Sequence, residues 1–543
     1  MDVLVVDCQA TGASPAFGHV LEMGWGVVRG DSGPRGFEAH WIALPEGHTV
    51  PGQVRELTGW EPAAAADAIA GHEAWRRLRA AVAQAEPVPT AIHYARFELS
   101  FLRDWSARFE PDVAFPLDAV CLHAIASRLY SALPRLSLRA LAGYLGHSVS
   151  LQRRALGHVE ATAFVWQRLC GDLAALGVET WEDLQAWLRQ RGPARARPKK
   201  PTYPIDERRF RSLPDAPGVY RFLRRNGDLL YVGKATSLKK RVTSHFIARS
   251  GKLLAPEMLT QVSDIAVTET ASALEAALLE NETIKALNPP YNVQLTTGDP
   301  RVWYSNAAFD AAEAAPSDEH AIGPLPSEYA LRPLGALSAL LAGASPELPV
   351  RAHAVGVSAL WTPDEPVFTA GWSELMARHA AAAGLPEEAA RTRALQLARH
   401  LLAVVAAQKD PPRDEEESDR TWDPPRVARH IERAAAQAYR VYRRTRWLKL
   451  LDDAEVAFQE PGATRTRRLR IRAGQVSAVD ADDTPPALAA PPDAPFDRAS
   501  YDRLRILTTE LKRIARDGGT VLVRVRGARA LPARLLPGVF VAI

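Results

Sequence analysis

The chain has few cysteines and no long hydrophobic run. Of its 543 residues only three are cysteines, and Cys8, Cys121 and Cys170 lie far apart. Scattered cysteines exclude a cysteine-based zinc site and fit a reducing compartment. The first apolar run ends at Asp7, which argues against a signal peptide, and no segment is long and apolar enough to span a membrane. The composition therefore predicts a cytoplasmic protein.

The sequence also lacks a strong excess of charge of either sign. Its formal net charge is +4, with 24% charged and 47% hydrophobic residues. This balance is typical of soluble globular proteins, and the length is enough for about three or four domains. Any charge that binds nucleic acid must therefore be concentrated locally.

A β-hairpin that carries two tyrosines is predicted in the middle of the chain. Asn226-Gly227 separates two strand-like runs and favours a type I′ turn, in which both central residues have positive φ. With that loop, Gly233 faces Tyr220, and Tyr231 becomes a diagonal neighbour of Tyr220, about 7–8 Å away on the same face. The missing side chain at Gly233 leaves room for a phenol or a phosphate.

Two helices should follow the hairpin. The first begins near Thr236 or Ser237 and places Arg241 and His245, four residues apart, on one face. The second opens with a capping-box pattern, and its row of small and apolar residues contains Glu280. A carboxylate that points inward needs a cation or a metal as partner. Tyrosines, basic residues and one carboxylate together fit hydrolysis of a phosphodiester with one metal ion.

This segment, residues 205–300, resembles the GIY-YIG nuclease domain of the UvrC and Cho excinucleases, a small α/β fold. The runs that carry the resemblance are Gly218-Val-Tyr220, Tyr231-Val-Gly-Lys-Ala235, Leu238-Lys-Lys-Arg241-Val242, Glu275-Ala-Ala-Leu-Leu-Glu280-Asn281 and Pro290-Tyr-Asn292. The resemblance implies an endonuclease of nucleotide excision repair.

By this resemblance, Glu280 would be the sole protein ligand of one Mg²⁺ or Mn²⁺ ion. The metal would polarise the phosphate and stabilise the leaving oxygen. Tyr231 would take the proton from the attacking water. A free tyrosine has a pKa near 10 and is a poor base at neutral pH, so Lys234 and the metal would have to lower that pKa.

The resemblance also implies roles for the remaining site residues. Arg241 and Tyr220 would hold the scissile phosphate, since arginine offers phosphate oxygens a forked donor. Asn292 would support the site. Position 245 is often tyrosine in the family, so His245 departs from the pattern but keeps a hydrogen-bonding ring.

The N-terminal part carries a second set of motifs. An apolar strand ends at Asp7, and it is followed by Val20-Leu-Glu-Met-Gly24, Leu57-Thr-Gly-Trp60, His93-Tyr-Ala-Arg-Phe-Glu98, Leu138-Arg-Ala-Leu-Ala-Gly-Tyr-Leu-Gly146 and Arg153-Arg-Ala-Leu-Gly-His158. This skeleton resembles the DEDDh 3′–5′ exonuclease family, as in the epsilon proofreading subunit. It implies an RNase H-like fold.

Most of the residues that this exonuclease family uses for catalysis are replaced. The family holds two metal ions with four carboxylates and uses a histidine as general base. Here Asp7 is retained, whereas Gln9, Glu98, Arg153 and His158 stand for Glu, Asp, His and Asp. Gln9 brings no charge, Arg153 cannot accept a proton, and loss of the general base alone typically costs about 10²–10⁴ in rate. We therefore predict little or no exonuclease activity, with any residual metal binding at Asp7 and Glu98.

Alternatives stay open for this domain. In another alignment His158 is the base and Glu160 a ligand, at a spacing that departs from the family. The remaining cleft would bind DNA ends or single strands, or the domain would act as a scaffold.

Composition divides the chain into domains and linkers, and predicts a multidomain α/β protein with a mostly α C-terminal region and a short β element. The predicted parts are the exonuclease-like domain 1–188, a basic proline-rich linker 189–204, the nuclease domain 205–300, a helical region 301–410, an acidic proline-rich linker 411–425 and a basic helical and β region 426–543.

Basic residues near aromatic residues indicate further DNA contacts. Arginines interleaved with rings suit single-stranded or distorted DNA, although a solvated amphipathic helix has the same pattern. The predicted DNA-binding residues are Lys199, Lys200, Lys239, Lys240, Arg440, Arg443, Arg444, Arg446 and Trp447. Arg468, Arg470 and Arg472 alternate with apolar residues, which predicts a strand with one basic face.

Together these patterns predict a bacterial, nucleoid-associated repair endonuclease that nicks damaged or structured duplex DNA. Resemblance to Cho implies a cut on the 3′ side of the lesion. The sequence has no second nuclease domain and no helix-hairpin-helix pattern, which favours a single incision. Damage-recognition and loading proteins are expected partners, and no membrane is implied. The alternatives are a dual nuclease with a working exonuclease, and a non-catalytic DNA-binding recruitment factor.

Overall fold

The structure, a computed structural model, describes most of the chain. The described residues are 1–29, 33–48, 50–81, 87–147, 153–190, 202–247, 256–292, 301–357, 362–408, 422–451, 453–478, 496–525 and 540–541. Contacts between Cα atoms divide the chain into two compact units: Met1–Ala271 with Ala286–Gln294, and Ser272–Lys285 with Leu295–Ile543. Within the described ranges, no helix combines the length and the apolar character needed to cross a membrane.

The N-terminal part of the first unit is built on a five-stranded mixed sheet with strand order β3-β2-β1-β4-β5. Its strands are β1 (Val3–Ala10), β2 (Val20–Arg29), β3 (Gly33–Trp41), β4 (Val88–Ile92) and β5 (Leu117–Cys121). β1 pairs antiparallel with β2 and parallel with β4. Seven consecutive residues of β1 are buried, because helices cover both faces of the sheet and a strand in that position must be apolar throughout.

The helices of this part are α1 (Gly52–Thr58), α2 (Gly71–Ala81), α3 (Ala95–Phe109), α4 (Leu122–Leu129), α5 (Leu138–Tyr144), α6 (Ala155–Ala174) and α7 (Trp181–Arg189). Trp166 of α6 belongs to the core on one face of the sheet, and Trp75 and Trp105 belong to the core on the other. A mixed sheet between two helical layers confirms the α/β class that was predicted.

The remainder of the first unit is a small antiparallel sheet with helices. Its strands are β6 (Gly218–Leu223), β7 (Leu229–Ala235) and β8 (Asp264–Glu269) in the order β7-β6-β8, and its helices are α8 (Glu207–Arg211), α9 (Leu238–Ile247) and α10 (Pro256–Leu259). The hydroxyl of Ser237 accepts a hydrogen bond from the Lys240 amide at 3.2 Å, so α9 begins at the predicted cap.

The second unit begins with most of α11 (Ala273–Leu287). The Ser272 hydroxyl accepts a hydrogen bond from the Glu275 amide at 3.1 Å, which confirms the predicted start of this helix. The next elements are β9 (Trp303–Ser305), β10 (Ala312–Glu313), β11 (Ile322–Leu325), α12 (Arg332–Leu341), α13 (Leu348–Val355), α14 (Glu365–His379), α15 (Ala390–Ala407) and α16 (Pro424–Leu450).

The C-terminal part of the second unit contains more β structure than the short element that we expected. A five-stranded sheet has the order β14-β13-β12-β15-β16, with strands β12 (Asp453–Gln459), β13 (Arg467–Arg472), β14 (Gln475–Ala478), β15 (Thr520–Val525) and β16 (Phe540–Val541) around α17 (Arg498–Arg516). The strands have a period-two burial pattern that the surrounding charge obscures in the sequence: Ala454, Val456 and Phe458 are buried whereas Glu455 is exposed.

Helix α16 joins two hydrophobic cores of the second unit. Its first half contributes Val427 and Ile431 to the helical core. Its last turn contributes Trp447 and Leu448 to the core beneath the five-stranded sheet. Helix α16 begins at the end of the predicted linker 411–425, and its first half packs in the same core as the helices of the predicted region 301–410.

A buried carboxylate anchors α6 to the first sheet. Glu22 of β2 has no exposed surface, and it accepts hydrogen bonds from the Ala155 amide at 2.9 Å and from Arg154 Nε at 2.6 Å. Ala155 is the first residue of α6, so Glu22 satisfies an amide that has no partner inside the helix.

Replacing Glu22 should destabilise the first unit. In Glu22→Ala the Ala155 amide loses its acceptor in a buried position, and we expect the free energy of unfolding to fall by about 1–3 kcal/mol. Urea denaturation followed by tryptophan fluorescence measures this change. Glu46→Ala, at an exposed turn position, is the control and should stay within about 0.5 kcal/mol of the wild type; equal stability of both variants would contradict the anchoring role.

Candidate active site

The register of β6 and β7 brings the two tyrosines together. Tyr220 pairs with Gly233, and Phe222 pairs with Tyr231, as the hairpin argument predicted. Tyr220 and Tyr231 therefore lie diagonally on one face of the sheet, with their ring centroids 6.1 Å apart. The alternation of side chains along a strand places both phenols on the same side.

The predicted type I′ turn is wrong. The two strands end in a register shift at Leu223 and Leu229, and Gly227 has φ +88° whereas Asn226 does not have positive φ. The Asn226 side chain instead bonds Asp228, accepting from its amide at 3.1 Å and donating to its carboxylate at 2.9 Å. This side-chain bond stabilises a longer turn in which Gly227 alone needs the left-handed conformation.

Gly233 allows the close approach of the phenols. A Cβ at this position would lie 2.5 Å from the Tyr220 hydroxyl oxygen and 2.8 Å from a ring carbon of Tyr231. Any side chain here would push the rings apart. The glycine is therefore required by packing, and the space that the sequence analysis expected beside Tyr220 is filled by the phenols.

His245 completes this cluster from α9. Its Nε2 lies 2.9 Å from the Tyr220 hydroxyl, and both side chains are buried. Burial lowers the pKa of His245 to about 4, and the nearby charge of Arg241 contributes. The ring is therefore neutral at neutral pH, and one partner of the Tyr220–His245 pair donates the shared proton.

The basic side chains beside this cluster are more accessible. Arg241 is exposed on α9, as are Lys239 and Lys240, and Lys240 Nζ lies 3.5 Å from a carboxylate oxygen of Asp215. Lys234 is half-buried in β7. Of these, Arg241 is close enough to His245 for its charge to contribute to the lowered pKa of that ring.

Asn292 fixes the edge of β7. Its Oδ1 accepts from the Val232 amide at 3.0 Å, and its Nδ2 donates to the Val232 carbonyl at 2.9 Å. One side chain thus satisfies both backbone groups of a residue that lies between Tyr231 and Gly233. The resemblance implied that Asn292 supports the site, and this contact is one way in which it can do so.

A second cluster, next to Asn292, was missed by the sequence reasoning. The Arg139 guanidinium of α5 lies 4.1 Å from the ring centroid of Tyr291. The Tyr291 hydroxyl donates to Glu257 at 2.9 Å and accepts from Gln261 at 2.7 Å. Because Arg139 belongs to the exonuclease-like part, the contact connects the two parts of the first unit. The one available signal was the tyrosine in the Pro290-Tyr-Asn292 run.

Glu280 lies in the second unit, on α11, and its side chain is half-buried. The other predicted residues of this site belong to the first unit. A carboxylate oxygen is a hard ligand, and Mg²⁺ is commonly held by one or two carboxylates and water, so the chemistry of Glu280 fits the implied ion. The neighbouring Asn281 is fully buried, and neither polar atom of its side chain has a hydrogen-bond partner among the described residues. The sequence analysis had given it no role.

The exonuclease-like site is closed by its own side chains. Nδ1 of His158 lies 3.2 Å from both carboxylate oxygens of Asp7. The Gln9 amide donates to the Arg153 carbonyl at 2.7 Å. Burial raises the pKa of Glu98 well above its usual range, and the charge of Asp7 raises it further.

These residues do not fit two divalent ions. In the part of the chain that the structure describes, no group of three or more His, Cys, Asp or Glu side chains is placed to hold a metal. Arg153 is exposed, and Glu160, the ligand in the alternative alignment, is exposed on α6. In the described residues, neither alignment of the exonuclease motifs therefore brings together enough side chains to hold a metal ion.

The predicted DNA-binding residues differ in placement. Arg440 and Arg443 are exposed on α16, and Arg444 is half-buried. Lys199 and Lys200, and the side chain of Arg446, lie outside the described residues. Trp447 was expected on the basic surface, but it is only 7% exposed and belongs to the core beneath the sheet. Its ring has no free face for a base, so this expectation is corrected.

The His245 environment predicts a measurable titration. The folded protein keeps the ring neutral to about pH 4, whereas an unfolded chain takes up a proton near pH 6.5. The free energy of unfolding should therefore decrease as pH falls from about 6.5 to 4, by up to about 1.4 kcal/mol per pH unit. NMR of histidine-labelled protein, assigned by the signal lost in His245→Gln, should show a midpoint near 4. An ordinary midpoint would contradict the buried hydrogen bond.

Comparison with known proteins agrees with the geometry of the tyrosine cluster. Residues 216–293 match the UvrC-like GIY-YIG domain. UvrABC system protein C of Alkalilimnicola ehrlichii is 45% identical over 138 residues, which cover 24% of this chain and 22% of that protein. The protein of the same name from Methylococcus capsulatus is 50% identical over 84 residues, 16% of this chain and 14% of that protein.

A longer match covers nearly half of the chain. A putative bifunctional exonuclease/endonuclease protein of Mycobacterium tuberculosis is 30% identical over 260 residues, which cover 46% of this chain and 38% of that protein. The chain thus spans well under half the length of each of these relatives. Residues 216–293 are a UvrC-like GIY-YIG domain, and the family resemblance predicted for this segment is confirmed.

Proposed function

We propose that the protein is a metal-dependent endonuclease that nicks duplex DNA in nucleotide excision repair. The observation that carries the proposal is the cluster of Tyr220, Tyr231 and His245, which packs over Gly233 in a segment that matches the UvrC-like GIY-YIG domain. The absence of a side chain at Gly233 lets the two rings approach each other, and Arg241 is exposed on the neighbouring helix α9.

We assign different roles to the two tyrosines. Tyr231 is half-buried, and it accepts the proton of the attacking water, with Lys234 supplying positive charge. Tyr220 is only 1% exposed, and its hydroxyl already bonds His245. It is therefore a positioning residue that orients Tyr231, and Arg241 is left to hold the phosphate through its forked donors.

Glu280 would hold one Mg²⁺ or Mn²⁺ ion. When bound, the ion polarises the phosphate and stabilises charge on the leaving oxygen. Asn292 holds the β7 backbone between the reacting tyrosine and the glycine, and thereby limits movement of Tyr231.

The exonuclease-like domain would have no exonuclease activity of its own. His158 bonds the one retained family carboxylate, Asp7, and a raised pKa favours the protonated form of Glu98. A dual nuclease would need those carboxylates ionised and open to metal ions. We assign this domain an RNase H-like fold over residues 1–188, with a supporting role through the Arg139–Tyr291 contact.

The setting of the reaction follows from the relatives. Two of them are UvrABC system protein C, so we propose a cytoplasmic, nucleoid-associated protein that acts with damage-recognition and loading proteins. Similarity to Cho favours a single cut on the 3′ side of the lesion. The predicted domain boundaries at 188, 205 and 300 stay part of this proposal.

Glu280→Gln tests the proposed cleavage. The variant should lose nicking of a lesion-bearing duplex, assayed with and without loading proteins, by about a hundredfold or more, because several kcal/mol of stabilisation by the metal are removed. DNA binding should be retained. Glu282→Gln is the matched control, since Glu282 lies exposed on the same helix, and it should nick normally. Equal nicking by wild type and Glu280→Gln would place the cutting site elsewhere, and a wild type that binds without cutting would support the recruitment factor.

An exonuclease assay tests the closed site. The full chain with Glu280→Gln, given 3′-labelled single-stranded DNA with Mg²⁺ or Mn²⁺, should release no nucleotide above background. Adding Asp7→Asn should change nothing. Degradation that requires Asp7 would refute the proposal and favour the dual nuclease.

A further inference from the structure

The five-stranded sheet of the second unit has one buried face and one face that is rich in arginine. Apolar side chains of β12, β13 and β15 point toward α17, and the core that they form includes Val456, Ile471 and Val523 together with Tyr501 and Leu504. Because side chains alternate along each strand, every second residue must point the other way. The residues that alternate with these apolar side chains therefore make up the opposite face of the sheet.

The opposite face, which we call the arginine face, carries Arg468, Arg470 and Arg472 of β13 and Arg524 of β15. All four side chains are exposed. On β13 they recur every second residue, about 6.8 Å apart, and neighbouring strands lie about 4.8 Å apart. Arg470 pairs across the ladder with Glu455 of β12, which pairs on its other side with Arg524. The four arginines thus form one patch across three strands.

The charge on this face is poorly compensated. Glu455 accepts from Arg470 Nη2 at 2.7 Å, and this bond, followed by the charges of Arg524 and Arg468, holds the pKa of Glu455 below its usual value. Among the described side chains, Arg468, Arg472 and Arg524 have no ion-pair partner within 4.0 Å. Among the described side chains of this face, four arginines accompany one acid, Glu455.

Three exposed arginines on helices elsewhere in the chain show what local compensation looks like. Arg76, Arg108 and Arg211 each bond a carboxylate on their own helix, at 2.8, 2.8 and 2.5 Å. Such pairs neutralise a solvated surface. On the arginine face, by contrast, four exposed arginines lie on one sheet face and only Arg470 has an ion pair among the described side chains.

We propose that the arginine face binds the sugar–phosphate backbone of duplex DNA, at a site separate from the tyrosine cluster. The proposal rests on the proposed function for the choice of DNA, and on charge complementarity for the choice of surface. Arginine forks match phosphate oxygens. The described side chains of this face include no aromatic ring, whereas proteins that bind single strands stack bases on such rings. Contacts to phosphate alone position a duplex without reading its sequence.

The test uses the full chain and a fluorescently labelled duplex of random sequence, with anisotropy measured between about 50 and 200 mM salt. The variant Arg468→Gln/Arg470→Gln/Arg472→Gln should bind the duplex about tenfold or more weakly, and the slope of log affinity against log salt should fall by about 2–3. The matched control Arg76→Gln/Arg108→Gln/Arg211→Gln removes the same charge and should leave both quantities at the wild-type value.

A second variant increases the net positive charge of the arginine face. Glu455→Gln removes the acid between Arg470 and Arg524, so it should tighten duplex binding and increase the salt slope by up to about 0.9. This result does not depend on whether the triple variant folds. Wild-type affinity and slope in both face variants would overturn the proposal. Loss of single-strand binding with duplex binding intact, or stronger competition by duplex RNA than by duplex DNA, would overturn the choice of partner.

Failure of this proposal can be told apart from failure of the proposed nuclease. If the wild type does not nick DNA but the triple variant still binds the duplex more weakly than the control, the arginine face is supported and the nuclease is not. If the wild type nicks through Glu280 and the face variants bind as the wild type does, the nuclease is supported and the arginine face is overturned.

Discussion

The pairing of Gly233 with Tyr220 is the constraint on which the tyrosine cluster depends. Strand side chains alternate with period two, so a slip of one residue would send Tyr231 to the opposite face and separate it from Tyr220. With this register, the absent side chain at Gly233 admits both phenols, and His245 reaches the Tyr220 hydroxyl from α9. The same register exposes the Val232 backbone to the Asn292 amide. The pairing of β6 with β7 thus helps to place Tyr220, Tyr231, His245 and Asn292.

The exonuclease-like part contacts the nuclease segment at several residues, and one of them is Tyr291, next to Asn292. Tyr291 is held by Arg139, Glu257 and Gln261, and it immediately precedes Asn292. The Glu257 carboxylate also accepts from Ser137 at 2.9 Å, so α5 contacts the nuclease segment at more than one point.

Charge is distributed in opposite ways at the two ends of the chain. In the N-terminal part, Asp7 lies against His158 and Glu98 is buried. In the C-terminal sheet arginines accumulate on one exposed face. A net charge of +4 over 543 residues does not reveal this local difference. Attraction to a polyanion depends on the local field and much less on the total.

Much of the candidate site could be predicted from the sequence, because it depends on residues that are close together in the chain. The register of the tyrosine hairpin, the caps at Ser237 and Ser272, and the basic face of β13 follow from strand alternation, hydroxyl capping and period-two patterning, and each involves residues close together in the chain. The turn type was wrong since the Asn226–Asp228 bond competes with the type I′ geometry. The prediction that Trp447 lies on the basic surface was wrong because exposed basic residues and the buried Trp447 ring occur in the same turn of α16. The helical period alone does not show which other element packs on the ring.

Tertiary structure decided the contacts between residues that are distant in sequence. His158 meets Asp7, and Arg139 stacks on Tyr291, although each pair is separated by about 150 positions, far beyond the reach of any helix or strand period. Burial lowers the pKa of His245 and raises the pKa of Glu98, because desolvation depends on every element packed around a group. The sequence by itself determined which chemistry the residues can perform and how each hairpin and helix presents them. Only the folded chain determined which of those groups are open to DNA and which are occupied by their neighbours.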